Sequence, residues 1–219
     1  SQEADEEKTQ RIIRTLPWTV KNIQFGGLGD PLMHKRAVDF ITLSRERGFK
    51  VEILSNMEYL KDDDILRLHK VGGDRMHDLH FVSNISGGDV ETYLRTRPRQ
   101  TEKTFHKIKE NLKKFKELRQ KDGKGVFYTI MCVVNKYNSS NLSELIDFAH
   151  EVGASRVWFK PIEVHHPLHR KFIPQKEDEF KSFSQSLKKA LMRSDSLAVE
   201  LFERHVCEKV IEDIDKKFQ

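Results

Sequence analysis

The stretch Phe25-Gly26-Gly27-Leu28-Gly29-Asp30-Pro31-Leu32 decides how this chain is read. It follows a short apolar run, Val20 to Phe25, that predicts a β-strand, and it precedes a helical pattern that starts near Leu32. Three glycines, an acid and a proline at a strand-to-helix turn make a tight loop with exposed backbone groups. Glycine lets the main chain take positive φ and approach a ligand closely. Proline at the first helical position fixes a helix start. In α/β folds ligands sit at such turns, outside the carboxyl ends of strands. Tight packing also uses glycine-rich turns, so the loop's meaning depends on its surroundings.

Outward from this loop the chain alternates strand-like and helix-like segments. Strands are predicted at Lys21 to Phe25, Lys50 to Leu54, His77 to Val82, Gly125 to Val134 and Arg156 to Phe159. Each is short, β-branched or aromatic, and bounded by turn residues. Helices are predicted at Leu32 to Arg47, Asp62 to Lys70, Thr101 to Lys121 and Leu142 to Val152. Thr101 can cap the long helix, whose apolar stripe is Phe105, Ile108, Leu112, Phe115 and Leu118, and Gly123 follows its end. Asn141 with Glu144 has the form of a capping box, and Gly153 closes that helix. Strand starts fall evenly near positions 22, 50 and 78, and again near 126 and 155; residues 84–100 are an inserted loop with a short helix. This alternation implies a parallel sheet with helices outside it. From Pro174 to Gln219 two further helices are expected, broken at Arg193-Ser194-Asp195-Ser196, with Phe180, Phe183 and Leu187 striping the first and Leu201, Val206, Val210, Ile211 and Ile214 the second.

The chain has 219 residues, 37% apolar and 33% charged. It is long enough to bury a core, as one large domain or two small ones. No apolar stretch approaches the roughly 18 residues of a membrane span, and residues 1–10 are too polar and acidic for a secretory signal. The formal charge is +5, with Lys103, Lys107, Lys109, Lys113, Lys114, Lys116, Arg119 and Lys121 all on one helix. Such a run reads as a solvated face, because no nucleic-acid motif or interleaved aromatics accompany it. The two cysteines, Cys132 and Cys207, are far apart and form no metal-ligand pair by spacing. Cys132 lies in an apolar run and is expected in the core. This usage suits a cytoplasmic protein without structural disulfides.

If the sheet is parallel, all strand ends lie on one side. There the sequence places Gly26 to Pro31, then Ser55 and Asn56, Ser83 and Asn84, Asn135, and Lys160 with Pro161. Any one of these reads as a loop start; five strand ends in succession point to a shared binding face.

These residues together resemble the radical S-adenosylmethionine (radical SAM) superfamily. Gly26 to Leu32 is similar to that family's loop after its second strand, usually ending Gly-Glu-Pro, with Asp30 in place of Glu. Val51 to Asn56 resembles the third strand, with Met57 where glycine is common. Phe81 to Asn84 resembles the fourth, and Tyr93 to Arg97 the arginine-bearing segment beyond it. Thr104-Phe105 and Asn111-Leu112 fit the long helix. Val134-Asn135 with Asn141-Leu142, and Gly153-Ala154 with Val157 to Phe159, resemble the fifth and sixth strands. The likeness covers roughly residues 10–165. It implies a partial (β/α)6 TIM-like barrel over 1–165, with a C-terminal helical extension over 166–219. It also implies SAM as cofactor. The Gly27 to Asp30 loop would meet the methionine amino group, and Ser83 or Asn84 the ribose hydroxyls. Arg95 or Arg97 would pair with the carboxylate. Asn135 would lie near the ribose or adenine, and Trp158, Lys160 and Pro161 would line the adenine.

The family's CxxxCxxC motif, which binds three irons of a [4Fe–4S] cluster, does not occur here. Residues 3–16 resemble the helix after that motif, so the first strand and cluster loop are expected ahead of Ser1. The chain is then read as a fragment of an enzyme that cleaves SAM to a 5′-deoxyadenosyl radical, inactive alone, with an electron donor such as flavodoxin or ferredoxin serving the parent. The likeness names no substrate. One alternative is a cluster-less pseudoenzyme that keeps the barrel as a binding module. Another is an unrelated (β/α) metal enzyme using His165, His166 and His169, although Pro167 breaks their helical spacing. His77 and His80, flanking a strand, read as structural. A phosphate cradle at the glycine loop is opposed by the charge of Asp30.

Overall fold

The computed structural model describes residues 5–27, 29–162 and 167–218. Leu28, His165 and His166 lie outside the described residues, and His169 falls in a 3₁₀ segment, Pro167–Phe172. The fold is α/β. Strands β1 (Asn22–Phe25), β2 (Lys50–Leu54), β3 (Leu79–Asn84), β4 (Phe127–Val134), β5 (Arg156–Pro161) and β6 (Glu200–Leu201) form one sheet of six strands in chain order. Pairing is parallel, with Asn22 opposite Lys50, Val51 opposite Leu79, and Arg156 opposite Glu200. Between the strands run α2 (Ala37–Glu46), α3 (Asp62–Val71), α4 (Val90–Thr96), α5 (Glu102–Asp122) and α6 (Leu142–Val152). Helix α1 (Glu6–Thr15) precedes them, and α7 (Glu177–Leu197) and α8 (Arg204–Lys217) follow. No helix among the described residues is long and apolar enough to cross a membrane.

Two compact units make up the chain: Ser1–Ser83 with Lys107–Thr129, and Asn84–His106 with Ile130–Gln219. In the first, β2 and β3 alternate in side-chain direction as strands must. Val51, Ile53, Leu79 and Phe81 are buried, and Phe81 meets Phe115 of α5 with ring centroids 6.3 Å apart. In the second unit Phe105 packs against both Tyr93 and Phe148, at 5.2 and 5.5 Å. Helix α6 buries Leu142, Leu145, Ile146, Phe148, Ala149 and Val152, packs on α7, and ends at Gly153 in the left-handed conformation, φ 76°.

Three local expectations differ from the structure. The helix expected from Leu32 is two elements, a 3₁₀ turn Pro31–Met33 and then α2. The Asp30 carboxylate accepts the Leu32 N–H at 2.9 Å and starts the turn; His34 donates back to the Pro31 carbonyl at 3.1 Å and then leaves in an extended conformation. Asn141 makes no capping bond: its side chain accepts from Ser140 at 2.7 Å, and the Leu142 N–H donates to Ser186 of α7 at 3.2 Å. Helix α7 runs straight through Arg193 to Ser196. Ser194 and Ser196 bond back to the carbonyls of Leu191 and Arg193, at 2.7 and 2.9 Å, so their hydroxyls do not compete with the helix. The chain turns only at Ala198, φ 53°, and Leu201 then belongs to β6 rather than to a helix. A strand of two residues carries no periodicity for a sequence to reveal. Arg156 fixes it, pairing with Glu200 at 3.3 Å and covering the Phe202 ring at 5.3 Å.

Candidate functional site

In the first unit the carboxyl ends of β1, β2 and β3 are tied by one hydrogen-bond chain. Gly27 and Gly29 have φ of 133° and 129°, and a Cβ built on either would meet no neighbour within 4 Å, so glycine is required here by conformation and not by crowding. The second carboxylate oxygen of Asp30 accepts from the Ser55 hydroxyl at 2.9 Å and from the Asn56 N–H at 3.2 Å. Ser55 Oγ in turn accepts the Met57 N–H at 3.0 Å, and the Ser83 hydroxyl donates to the Ser55 carbonyl at 2.8 Å. Asp30, Ser55 and Ser83 therefore form a brace. Ser83 is fully buried within it, on the face of β3 shared with Leu79 and Phe81. Met57 is also fully buried, with φ 61°, and its carbonyl accepts from the buried Asn111 side chain at 2.7 Å.

The second unit begins at Asn84, on the other face of β3. Its Oδ1 is buried and has no hydrogen-bond partner among the described residues, a costly state for a buried acceptor. Arg97 braces this strand end: Nη2 donates to the Asn84 carbonyl at 2.9 Å and Nε to Ser86 Oγ at 3.4 Å, with the guanidinium 5.9 Å from the Tyr93 ring centre. Arg95 is exposed, and its guanidinium donates to Thr92 Oγ1 at 3.5 Å. At the end of β4, Asn135 is taken up in a local turn, accepting from the Tyr137 N–H at 2.9 Å and donating to the Val133 carbonyl at 3.2 Å. The buried Asn138, which sequence reasoning missed, donates to the carbonyls of Ser86 and Val133 and accepts the Asn135 N–H at 2.8 Å. Its signal was only an Asn within a polar loop.

Asn135 and Pro161 come together on one apolar cavity of about 150 Å³, with Val134, Ile162, Phe180 and Phe183 as further walls. Phe180 and Phe183 were legible only as a helix stripe. Trp158 and Lys160 do not line this cavity. The Trp158 indole N–H donates to Glu203 at 3.0 Å, its ring meets Phe202 edge-on at 5.3 Å, and the Lys160 ammonium lies 5.9 Å from its centre.

No protein-family profile matches the chain. A stretch of 58 residues is 34% identical to a tungsten-containing aldehyde ferredoxin oxidoreductase cofactor-modifying protein of Pyrococcus furiosus, spanning 26% of this chain and 16% of that protein. Among solved structures, Streptococcus suis SuiB superposes with a TM-score of 0.60 at 16% identity, over 92% of this chain and 44% of SuiB. The enzyme anSMEcpe, with bound AdoMet and Cp18Cys peptide, gives 0.61 at 13% identity, over 90% and 54%. TYW1 with a lysine-pyruvate adduct bound gives 0.53 at 13%, over 80% and 50%. These are radical SAM enzymes, and the chain has a radical SAM-like fold. It spans about half the length of the solved structures it matches.

The residues present fit SAM. Asn84 offers a buried acceptor in want of a donor, and the cavity beside Asn135 offers apolar walls for a flat ring. They do not fit an iron–sulfur cluster. Both cysteines are buried, burial pushes the Cys132 thiol up to about 12, and it raises Cys207 as well. A cluster needs thiolates, and no metal-binding group of His, Cys, Asp or Glu occurs among the described residues.

Proposed function

We propose that this chain is the SAM-binding barrel of a radical SAM enzyme whose cluster-binding cysteines belong to a segment outside this sequence. The observation that carries the reading is the Asn84 carboxamide oxygen at a strand end, buried and without a partner among the described residues, in a fold shared with enzymes of that superfamily. Asn84 would accept a ribose hydroxyl, and Arg97, held by Asn84 and Ser86, would present its remaining N–H groups to the carboxylate. The cavity walled by Val134, Asn135, Pro161 and Ile162 would exclude water from the adenine. When bound, SAM would supply a 5′-deoxyadenosyl radical by one-electron cleavage of its C5′–S bond, with methionine as the leaving group; a partner such as flavodoxin or ferredoxin would supply the electron.

The test is an NMR titration of the isotope-labelled chain with S-adenosylmethionine and S-adenosylhomocysteine. Saturable shifts at Asn84, Val134 and Ile162 are expected, with affinity reduced about tenfold in Asn84→Ala, the loss of one good hydrogen bond. Absence of shifts at these residues overturns the assignment. Anaerobic incubation with iron and sulfide should load no stoichiometric cluster onto this chain; loading refutes the cysteine argument.

A further inference from the structure

The first unit carries a second polar constellation, three residues ahead of the strand-end brace on both β2 and β3. On β2 and β3 the helix-facing side is apolar ahead of Ser83: Val51, Ile53, Leu79 and Phe81 are each no more than 1% exposed. The opposite side is polar. Gln24, Glu52 and His80 lie level with one another across β1, β2 and β3. The Gln24 amide donates to Glu52 Oε1 at 2.7 Å; Glu52 Oε2 lies 3.5 Å from His80 Nδ1; His80 Nε2 pairs with Thr129 Oγ1 at 2.9 Å. The row grades from open to closed. The Glu52 side chain is 42% exposed, that of His80 is 9% exposed, and Thr129 is buried.

Parallel sheets are ordinarily apolar on both faces, and a purely structural strand pair here would use β-branched residues. Four polar side chains in one hydrogen-bonded row instead fix the carboxylate of Glu52 in one orientation, with its open side toward a cavity of about 340 Å³. Asn22, Lys50 and His77 complete that cavity's polar wall. Lys50 and Glu52 are two residues apart on the same strand face, so their Cα atoms are about 7 Å apart. A cation and an anion at that separation on one wall, in a space of this size, complement a small molecule that carries both charges.

We propose that this face binds a small free amino acid, its ammonium group against Glu52 and its carboxylate toward Lys50, with Gln24 and His80 as the residues that position Glu52. The inference stands on the first unit's sheet face and does not rest on the SAM reading.

The test uses the isotope-labelled full chain and four probes: glycine, 4-aminobutyrate, ethylamine and acetate. Either or both amino acids should shift the Gln24, Glu52 and His80 amides saturably, leaving Asn84 unmoved. Glu52→Gln, which keeps the shape, should weaken that binding at least about tenfold, the loss of a charge-assisted bond. Lys50→Met, at an exposed position, should weaken it severalfold, and it carries the test alone if Glu52→Gln does not fold. The proposal is overturned if neither amino acid gives a saturable shift. It is equally overturned if acetate or ethylamine alone reproduces the shifts, or if the variants bind as the parent chain does.

Discussion

Met57 is a buried side chain on a backbone that favours glycine. Its φ is 61° and its exposure is 0%, and the Asn111 amide holds its carbonyl at 2.7 Å. An L-residue in the left-handed region costs roughly 1–2 kcal/mol. Truncating a buried methionine to alanine costs about 2–5 kcal/mol, so burial outweighs strain and methionine is tolerated. The two terms separate on comparing Met57→Ala with Met57→Gly. Both lose the buried side chain, but only glycine also relieves the strain. Elsewhere glycine is worse than alanine by roughly 0.5–1 kcal/mol through the unfolded chain. At position 57 the order inverts: Met57→Gly is expected to be about 0.5–1 kcal/mol more stable than Met57→Ala, the relieved strain less that entropy. Urea denaturation of the two variants followed by circular dichroism measures the difference. An alanine variant as stable as the glycine variant would refute the reasoning and mean that the loop relaxes to negative φ once the side chain is gone.

Two further outcomes follow from charge and burial. The Asp39 carboxyl is held below its usual range, first by its bond to Arg67 and also by Arg36. A lowered folded value stabilises above the unfolded pKa of about 3.8 and is lost as pH falls through the folded one; Asp39→Asn should therefore show a flatter loss of stability below about pH 4 in acid titrations of the melting temperature. Cys132 and Cys207 are both buried with raised thiol values. At neutral pH a disulfide reagent should label neither in the native chain and both in urea, and prompt native labelling of Cys132 would contradict its burial.

Much of the fold was legible because strand and helix periods differ. β2 and α6 occur with the predicted bounds, since each has a clean apolar pattern and clear flanking turns. The glycine loop was legible because few residues adopt φ near 130°. The break after Met33 was not, because it depends on Asp30 and His34 closing a 3₁₀ turn that a helical pattern also fits. The Gln24–Glu52–His80–Thr129 row was hidden for another reason. Its members lie on four separate strands, and only sheet register places them level. Read singly, His80 was a histidine beside a strand.

By itself the sequence determined the alternation of strands and helices, the strand-end loop at Gly26 to Asp30 and the lack of a cysteine triad, because these depend on local period, turn chemistry and residue type. Only the tertiary structure decided what the polar side chains do. It spent Ser55, Ser83 and two N–H groups of Arg97 on bracing strand ends, left the Asn84 side-chain oxygen without a partner among the described residues, turned Trp158 to Glu203, and aligned Glu52 with His80. The reason is physical: a hydrogen bond is satisfied by whatever partner folding brings within about 3 Å, and those partners lie tens of residues away in the chain.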